Sequence, residues 1–255
     1  METKKTKGRL SAHTLKLVAV LAMTLDHVAW ILWPGYPLEP LPLVLHLLGR
    51  ITCPVMCYFI AEGYWHTRSR GRYLARLFTF ALVSHFAYVF FSPDFRGWQS
   101  FLPFSSGKFL DQTSVMWSLA LGLLLLCIAH AKGIKMPLKV CLTLLVCLVA
   151  FPADWSSVAS LTVLAFGTNR GKFRIQMGWM LFYVAIYAAV YAVFLDPVYG
   201  ILQMGVALSI PLLWQYSGKR GGEGVPRLLS KWGFYLYYPL HLAALGALRF
   251  FALLP

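Results

Sequence analysis

Ionisable side chains set inside long apolar runs are the first place to look for chemistry in this chain. They are Lys16, Asp26 and His27 in one run, His46, Arg50 and Glu62 in the next, His85 in a third and His241 in the last. Lys16 and His27 are eleven residues apart, which on an α-helix is three turns with an offset of about 20°, so both leave one face about 16 Å apart along the axis. A cation at one end of such a stripe and an imidazole at the other suit a long anionic ligand whose reactive end reaches the imidazole. Acyl-CoA has that form. Acyl transfer needs a group to take the acceptor's proton and a donor to steady the tetrahedral oxyanion. His27 is the expected base, because a neutral imidazole suits that task near pH 7. Arg50 is read as the oxyanion donor, as a residue that holds the acceptor, or as an ion-pair partner for Asp26, whose side chain leaves its helix about 100° from His27 and so points to another span. Lys16 alone is equally explained as a snorkelling interfacial lysine, and His27 alone as a packing histidine. Their shared stripe favours the functional reading.

Arg68, Arg70, Arg72 and Arg76 follow the second run. Arg72 and Arg76 fall on one helix face. A cluster of Arg without Lys fits a phosphate site built on planar guanidinium groups, and it fits equally a cation-rich cytoplasmic loop. Glu62 lies at about the depth of Lys16, so a pair between them would neutralise both. His85 falls near the layer of His27 and Arg50, and His241 is read as orienting an acceptor, as a second acyl-transfer residue, or as packing. Cys53, Cys57, Cys127, Cys141 and Cys147 lie in apolar stretches without metal-ligand spacing. They are read as buried thiols, and no metal is expected.

The elements that must position these groups follow from composition. The chain has 255 residues, 59% hydrophobic and 13% charged, with 23 Lys and Arg against 9 Asp and Glu, and its mean hydropathy is +0.65. A water-soluble domain carries about 25% charged residues, so this chain lacks the polar surface to face water. Its load of Leu, Phe, Trp and Tyr also excludes disorder and a nucleic-acid-binding module. A spanning helix needs roughly 20 mostly apolar residues, and nine stretches qualify or nearly do: 15–33, 42–64, 73–91, 113–130, 136–151, 156–168, 175–195, 198–215 and 233–253. The first is too long for a signal-peptide core and is read as a span. The sixth is short and is expected to re-enter the bilayer or lean on neighbouring helices.

Loop charges test that partition. With the N-terminus inside, the cytoplasmic loops hold Lys4, Lys5, Lys7, Arg9 and Lys16; Arg68, Arg70, Arg72 and Arg76; Lys132, Lys135 and Lys139; Arg170, Lys172 and Arg174; and Lys219, Arg220, Arg227 and Lys231. Outside fall only Arg96, Lys108 and Arg249. The expectation is an all-α polytopic bundle of about nine spans, one domain over 1–255, with the N-terminus cytoplasmic and the C-terminus outside.

The run "LKLVAVLAMTLDH" from Leu15 to His27, "GRITCPVMCYFIAEGYWHTRSRGRYLARL" from Gly49 to Leu77, "SVMWSLALG" from Ser114 to Gly122 and "ADWSSVASLTVLAF" from Ala153 to Phe166 closely resemble the TraX family of membrane proteins. The wider resemblance is to integral membrane acyltransferases of the acyltransferase-3 type. Their hallmark is Arg or Lys, ten residues, then His; here those are Lys16 and His27. "GFYLYYPLH" from Gly233 to His241 is similar to their last helix. Glu62 stands where they carry Ser, and Arg72 and Arg76 are one residue further apart than their Arg pair. The resemblance implies an enzyme of the bacterial inner membrane that moves an acetyl group from cytoplasmic acetyl-CoA to an acceptor at the outer face, a pilin N-terminus, another exported peptide or a glycan. Together with the placements read above, it gives His27, Asp26 and Arg50 as catalytic, Lys16, Glu62, Arg68, Arg72 and Arg76 as cofactor-binding, and His85 and His241 as substrate-binding. The rival expectation is a small transporter or flippase, in which the buried His, Asp and Arg residues form a relay.

Overall fold

The computed structural model describes residues 8–102, 111–223 and 227–253. Lys4, Lys5, Lys7 and Lys108, counted above among the loop charges, lie outside the described residues, as do the side chains of Arg227 and Lys231. Eleven α-helices follow in chain order among the described residues: α1 (Ala12–Leu32), α2 (Pro40–Gly49), α3 (Thr52–His66), α4 (Arg70–Phe91), α5 (Val115–Ala129), α6 (Met136–Ala150), α7 (Ser156–Thr168), α8 (Phe173–Phe194), α9 (Pro197–Leu202), α10 (Ser209–Trp214) and α11 (Arg227–Leu248). The extended pairings among the described residues are two isolated bridges, Leu10 with Tyr216 and Thr113 with Ala153.

Among the described residues, five helical stretches are long and apolar enough to cross a bilayer: Ala12–Leu32, Pro40–His66, Arg70–Phe91, Phe173–Phe194 and Pro197–Trp214. The chain is therefore an all-helical protein of membrane type. Helices α5 and α6 have 15 residues each and α7 has 13. At about 1.5 Å per residue these cover about 20 Å, less than the roughly 30 Å of bilayer hydrocarbon.

Two of the stretches expected as single spans are interrupted, and proline explains both. The stretch 42–64 is α2 and α3 with a bend at Arg50 and Ile51, whose N–H groups donate back to Leu47 and Leu48 at 3.3 and 3.1 Å in a tighter turn. Pro54 has no N–H, and its ring clashes with the carbonyl four residues earlier, that of Arg50. The stretch 198–215 is α9 and α10 joined by a 3-10 turn, Gln203–Leu208. Pro211 makes the same demand on the carbonyl of Ala207.

The chain forms two compact units: residues 1–56 with 184–234, and residues 57–183 with 235–255. In the first, α1 packs on α2 and the 3-10 turn packs on α2, α9 and α10. Its start is well capped. The Ser11 hydroxyl accepts from the Thr14 N–H at 3.2 Å, and the N–H groups of Ala12 and His13 donate to the carbonyls of Lys219 and Arg220 at 2.9 and 3.0 Å. Asp196 accepts from the Tyr199 N–H at 2.8 Å, and Pro197 occupies the first position of α9, where a missing N–H costs nothing.

In the second unit α5 packs against α4, α6 and α7. Small residues set the approach of α5 and α7. The Ser118 hydroxyl donates to the Ser156 carbonyl at 2.8 Å and the Ser160 hydroxyl to the Ser118 carbonyl at 2.7 Å, while a Cβ on Gly122 would stand 2.7 Å from Val163. Such small-residue contacts let helix backbones come close where no water drives them together. The short α7 thus leans on neighbouring helices, one of the outcomes its length allowed.

Candidate functional site

In the first unit Asp26, His46 and Arg50 are gathered where the two interrupted stretches meet α1. Asp26 lies six residues before the end of α1, about 9 Å along its axis. Arg50 stands at the bend that Pro54 enforces. Its Nη2 donates to both carboxylate oxygens of Asp26 at 3.0 Å, its Nη1 to Gln203 Oε1 at 3.0 Å, and its Nε to the His46 carbonyl at 3.1 Å. Gln203 in turn donates to the Tyr199 carbonyl at 3.2 Å. Guanidinium and carboxylate cancel one another, so the cluster carries no net charge while His46 is neutral. That is the form in which ions persist inside an apolar bundle.

His46, one helical turn before Arg50, is the third member. Its Nδ1 lies 2.7 Å from Asp26 Oδ1. An ionised carboxylate only accepts, so Nδ1 carries the hydrogen and Nε2 of the neutral ring carries the lone pair. The residue is 1% exposed, and its Nε2 has no hydrogen-bond partner among the described residues. The ring lies against Trp30 and Tyr199, with centroids 4.5 and 5.4 Å away. Tyr199 continues into Tyr36 at 4.8 Å, and Tyr36 is 39% exposed. An aromatic column thus runs from the exposed loop after α1 to the buried imidazole.

Glycines make room for this arrangement. A Cβ on Gly49 would stand 2.5 Å from the Asp26 side chain, and one on Gly205 2.6 Å from Leu47 and 3.2 Å from Arg50. The bend is also tied to α1 directly, since Thr52 Oγ1 donates to the Ala19 carbonyl at 2.8 Å.

Of the residues singled out from sequence, the structure brings Asp26 and Arg50 into contact. Every Arg50 bond described above serves to hold Asp26, Gln203 or backbone, which is the ion-pair alternative for this residue. His27 is half-buried on α1 beside Asp26. Lys16, at the other end of α1, lies with its Nζ 5.4 Å from the centroid of Phe234. His46, Gln203, Tyr199 and Trp30 had been given no role.

The remaining residues belong to the second unit. Glu62 accepts from Arg170 Nε at 3.0 Å and Nη2 at 3.3 Å, and lies 3.3 Å from His66 Nε2. Arg76 stands over the rings of Tyr73 and Tyr235, 5.1 Å from each, and Arg70 over Tyr64 at 4.3 Å. Arg68 and Arg72 are exposed. His85 donates from Nε2 to the Phe101 carbonyl at 3.0 Å, and its Nδ1 lies 3.1 Å from Thr113 Oγ1, so both ring nitrogens are engaged. His241 donates from Nδ1 to the Tyr237 carbonyl at 3.0 Å and stacks on the Tyr237 ring. Among the described residues no group of three or more His, Cys, Asp or Glu is placed to hold a metal ion.

Comparison with known proteins adds two findings. The sequence profile described as TraX protein matches residues 11–249. A probable fimbrial assembly protein FimC of serogroup H1, from Dichelobacter nodosus, is 30% identical over 253 residues, covering 94% of this chain and 96% of that protein. No solved structure matches.

Proposed function

This chain belongs to the TraX family, and from that premise we propose that it is an acyl-CoA-dependent transferase of the bacterial cytoplasmic membrane. It moves an acetyl group from acetyl-CoA, entering from the cytoplasm, to an acceptor at the outer face. The fimbrial assembly name of the Dichelobacter relative favours a pilin or fimbrial subunit, another exported peptide or a glycan as that acceptor. The topology that goes with this reading has the N-terminus inside and the C-terminus outside, as the loop charges indicate.

One observation carries the proposal. Helix α1 runs unbroken from Ala12 to Leu32, which supports reading Lys16 and His27 as one stripe about 16 Å long, with the buried, charge-balanced cluster of Asp26, His46, Arg50 and Gln203 beside His27. Lys16 holds CoA phosphate, and the pantetheine arm spans the interval to the imidazole. His27 is the acid–base group at the thioester. Asp26, fixed by Arg50, adjoins His27 on α1 and is the carboxylate whose dipolar pair steadies an imidazolium forming nearby in the transition state. Arg68, Arg72, Arg76 and Glu62 are assigned to the CoA, and His85 and His241 to the acceptor, from their residue types and their places along the spans.

The transporter or flippase reading draws on the two interrupted stretches, since broken helices around buried polar groups are how many transporters build a site. The two readings part on one experiment. Purified full-length protein in nanodiscs is titrated with acetyl-CoA, and release of the CoA thiol is followed. Binding that weakens in Lys16→Ala, with slow thiol release that His27→Ala abolishes, supports the transferase. No binding and no thiol release sinks it.

A further inference from the structure

His46 has no part in the sequence motif that gives Lys16 and His27 their roles, yet it is the imidazole with a built environment. Its Nδ1 is held 2.7 Å from Asp26, and its Nε2 is buried without a partner among the described residues. A buried acceptor left without a donor is costly, and such exceptions to the rule of satisfied interiors ask for a reason. The arrangement of a carboxylate, an imidazole fixed through one nitrogen and a second nitrogen left basic is that of a positioned general base. The Arg50 guanidinium completes it by holding the same carboxylate from the other side at 3.0 Å. The aromatic column of Tyr36 and Tyr199 connects Nε2 with the exposed loop after α1, at the end of the helix away from Lys16.

We propose that His46 is a second catalytic residue, the base that takes the acceptor's proton at Nε2, with His27 serving the donor thioester. The inference rests on the acyl-transfer reading. In the step itself, the acceptor's nitrogen or oxygen forms a bond to the acyl carbon while its proton passes to Nε2. The carbon–sulfur bond then breaks and the sulfur leaves as a thiolate. The proton on Nε2 ends on that sulfur, so His46 returns to its neutral form and CoA departs as the thiol. Asp26 stays ionised throughout and keeps the ring in the tautomer that leaves Nε2 basic. The acceptor reaches this nitrogen by parting the Tyr36 and Tyr199 rings, which fits an acceptor group carried on an apolar or aromatic segment.

The test uses full-length protein in nanodiscs and two acceptors, water and hydroxylamine, with thiol release from acetyl-CoA as the readout after subtraction of the uncatalysed rates. Hydroxylamine is unprotonated and strongly nucleophilic at neutral pH, so it attacks without a base. The variant is His46→Asn, whose amide N–H replaces the Nδ1 donor to Asp26 while the Nε2 position is lost. Hydrolysis is expected to fall about a hundredfold, and hydroxylamine-dependent release by less than tenfold; His27→Ala, acting on the thioester, lowers both. Imidazole added to His46→Ala is expected to restore part of the hydrolysis. Equal losses with both acceptors in His46→Asn, or no loss in either, overturn the role of His46. A wild-type protein that neither binds acetyl-CoA nor releases thiol overturns the transferase reading itself, and the inference with it.

Discussion

Replacing Arg50 with Met removes the cation of the buried cluster but keeps most of the volume of its stem. Asp26 then loses two hydrogen bonds at 3.0 Å, and Gln203 and the His46 carbonyl lose one each. The Arg50 and Asp26 side chains are 12% and 10% exposed, so solvent screens the loss little. Breaking a buried pair by deleting one partner costs about 3–5 kcal/mol, because it strands the other charge. His46 still holds the carboxylate at 2.7 Å, so the cost is expected near the lower end, about 3 kcal/mol. The double variant Asp26→Asn with Arg50→Met removes both charges. It is expected to lose at least about 1.5 kcal/mol less than the sum of the two single variants, as contacting groups do in a thermodynamic cycle. Stability is read by titrating the detergent-solubilised protein with a denaturing detergent and following labelling of Cys57, which is fully buried in the fold. A loss below about 1 kcal/mol in Arg50→Met, or strict additivity in the cycle, refutes the claim that this pair anchors the site.

Further expectations concern the room, the donor and the topology. Gly49→Ala places a methyl 2.5 Å from the Asp26 side chain. Overpacking of this kind costs about 1–3 kcal/mol, and displacement of the carboxylate should lower thiol release as well. Lys16→Ala should weaken acetyl-CoA binding, measured by calorimetry, about tenfold, the loss of one charge-assisted contact, without changing the denaturation midpoint appreciably. Glu62→Gln breaks a pair whose Arg170 side chain is 42% exposed, so its effect on stability should stay within about 1 kcal/mol. A reporter enzyme that works only outside the cytoplasm should be active when fused to the C-terminus and silent when fused after residue 220; the reverse pattern overturns the assigned topology.

What sequence makes legible here depends on the range over which a signal acts. The helices of long apolar runs are readable from composition alone, and α1 matches its expected run within a few residues. The partnering of Asp26 with a different span follows from its 100° offset from His27, and Arg50 was among the partners weighed. The bend at Arg50 was less visible, although Pro54 was its signal: an apolar run with one proline still averages as a span. His46 lies one turn before Arg50 on the same face, and that spacing, not used in reading the sequence, is what puts both on Asp26. Gln203 carries no charge and sits in an apolar stretch, so nothing in the sequence marked it. Glu62 and Arg170 are 108 residues apart, and only the folded arrangement of α3 beside the end of α7 connects them.

The neutrality of the Asp26–Arg50 pair has an electrical consequence. A unit charge carried across the full transmembrane potential gains or loses about 2.3 kcal/mol per 100 mV, and groups partway through the bilayer feel a share of that field. A pair that sums to zero feels almost none, so this pair adds almost nothing to the response of the fold to an energised membrane. A proton passed to an imidazole beside the pair makes the cluster a cation in the field for as long as it stays. That transfer then acquires a dependence on membrane voltage that the neutral pair lacks.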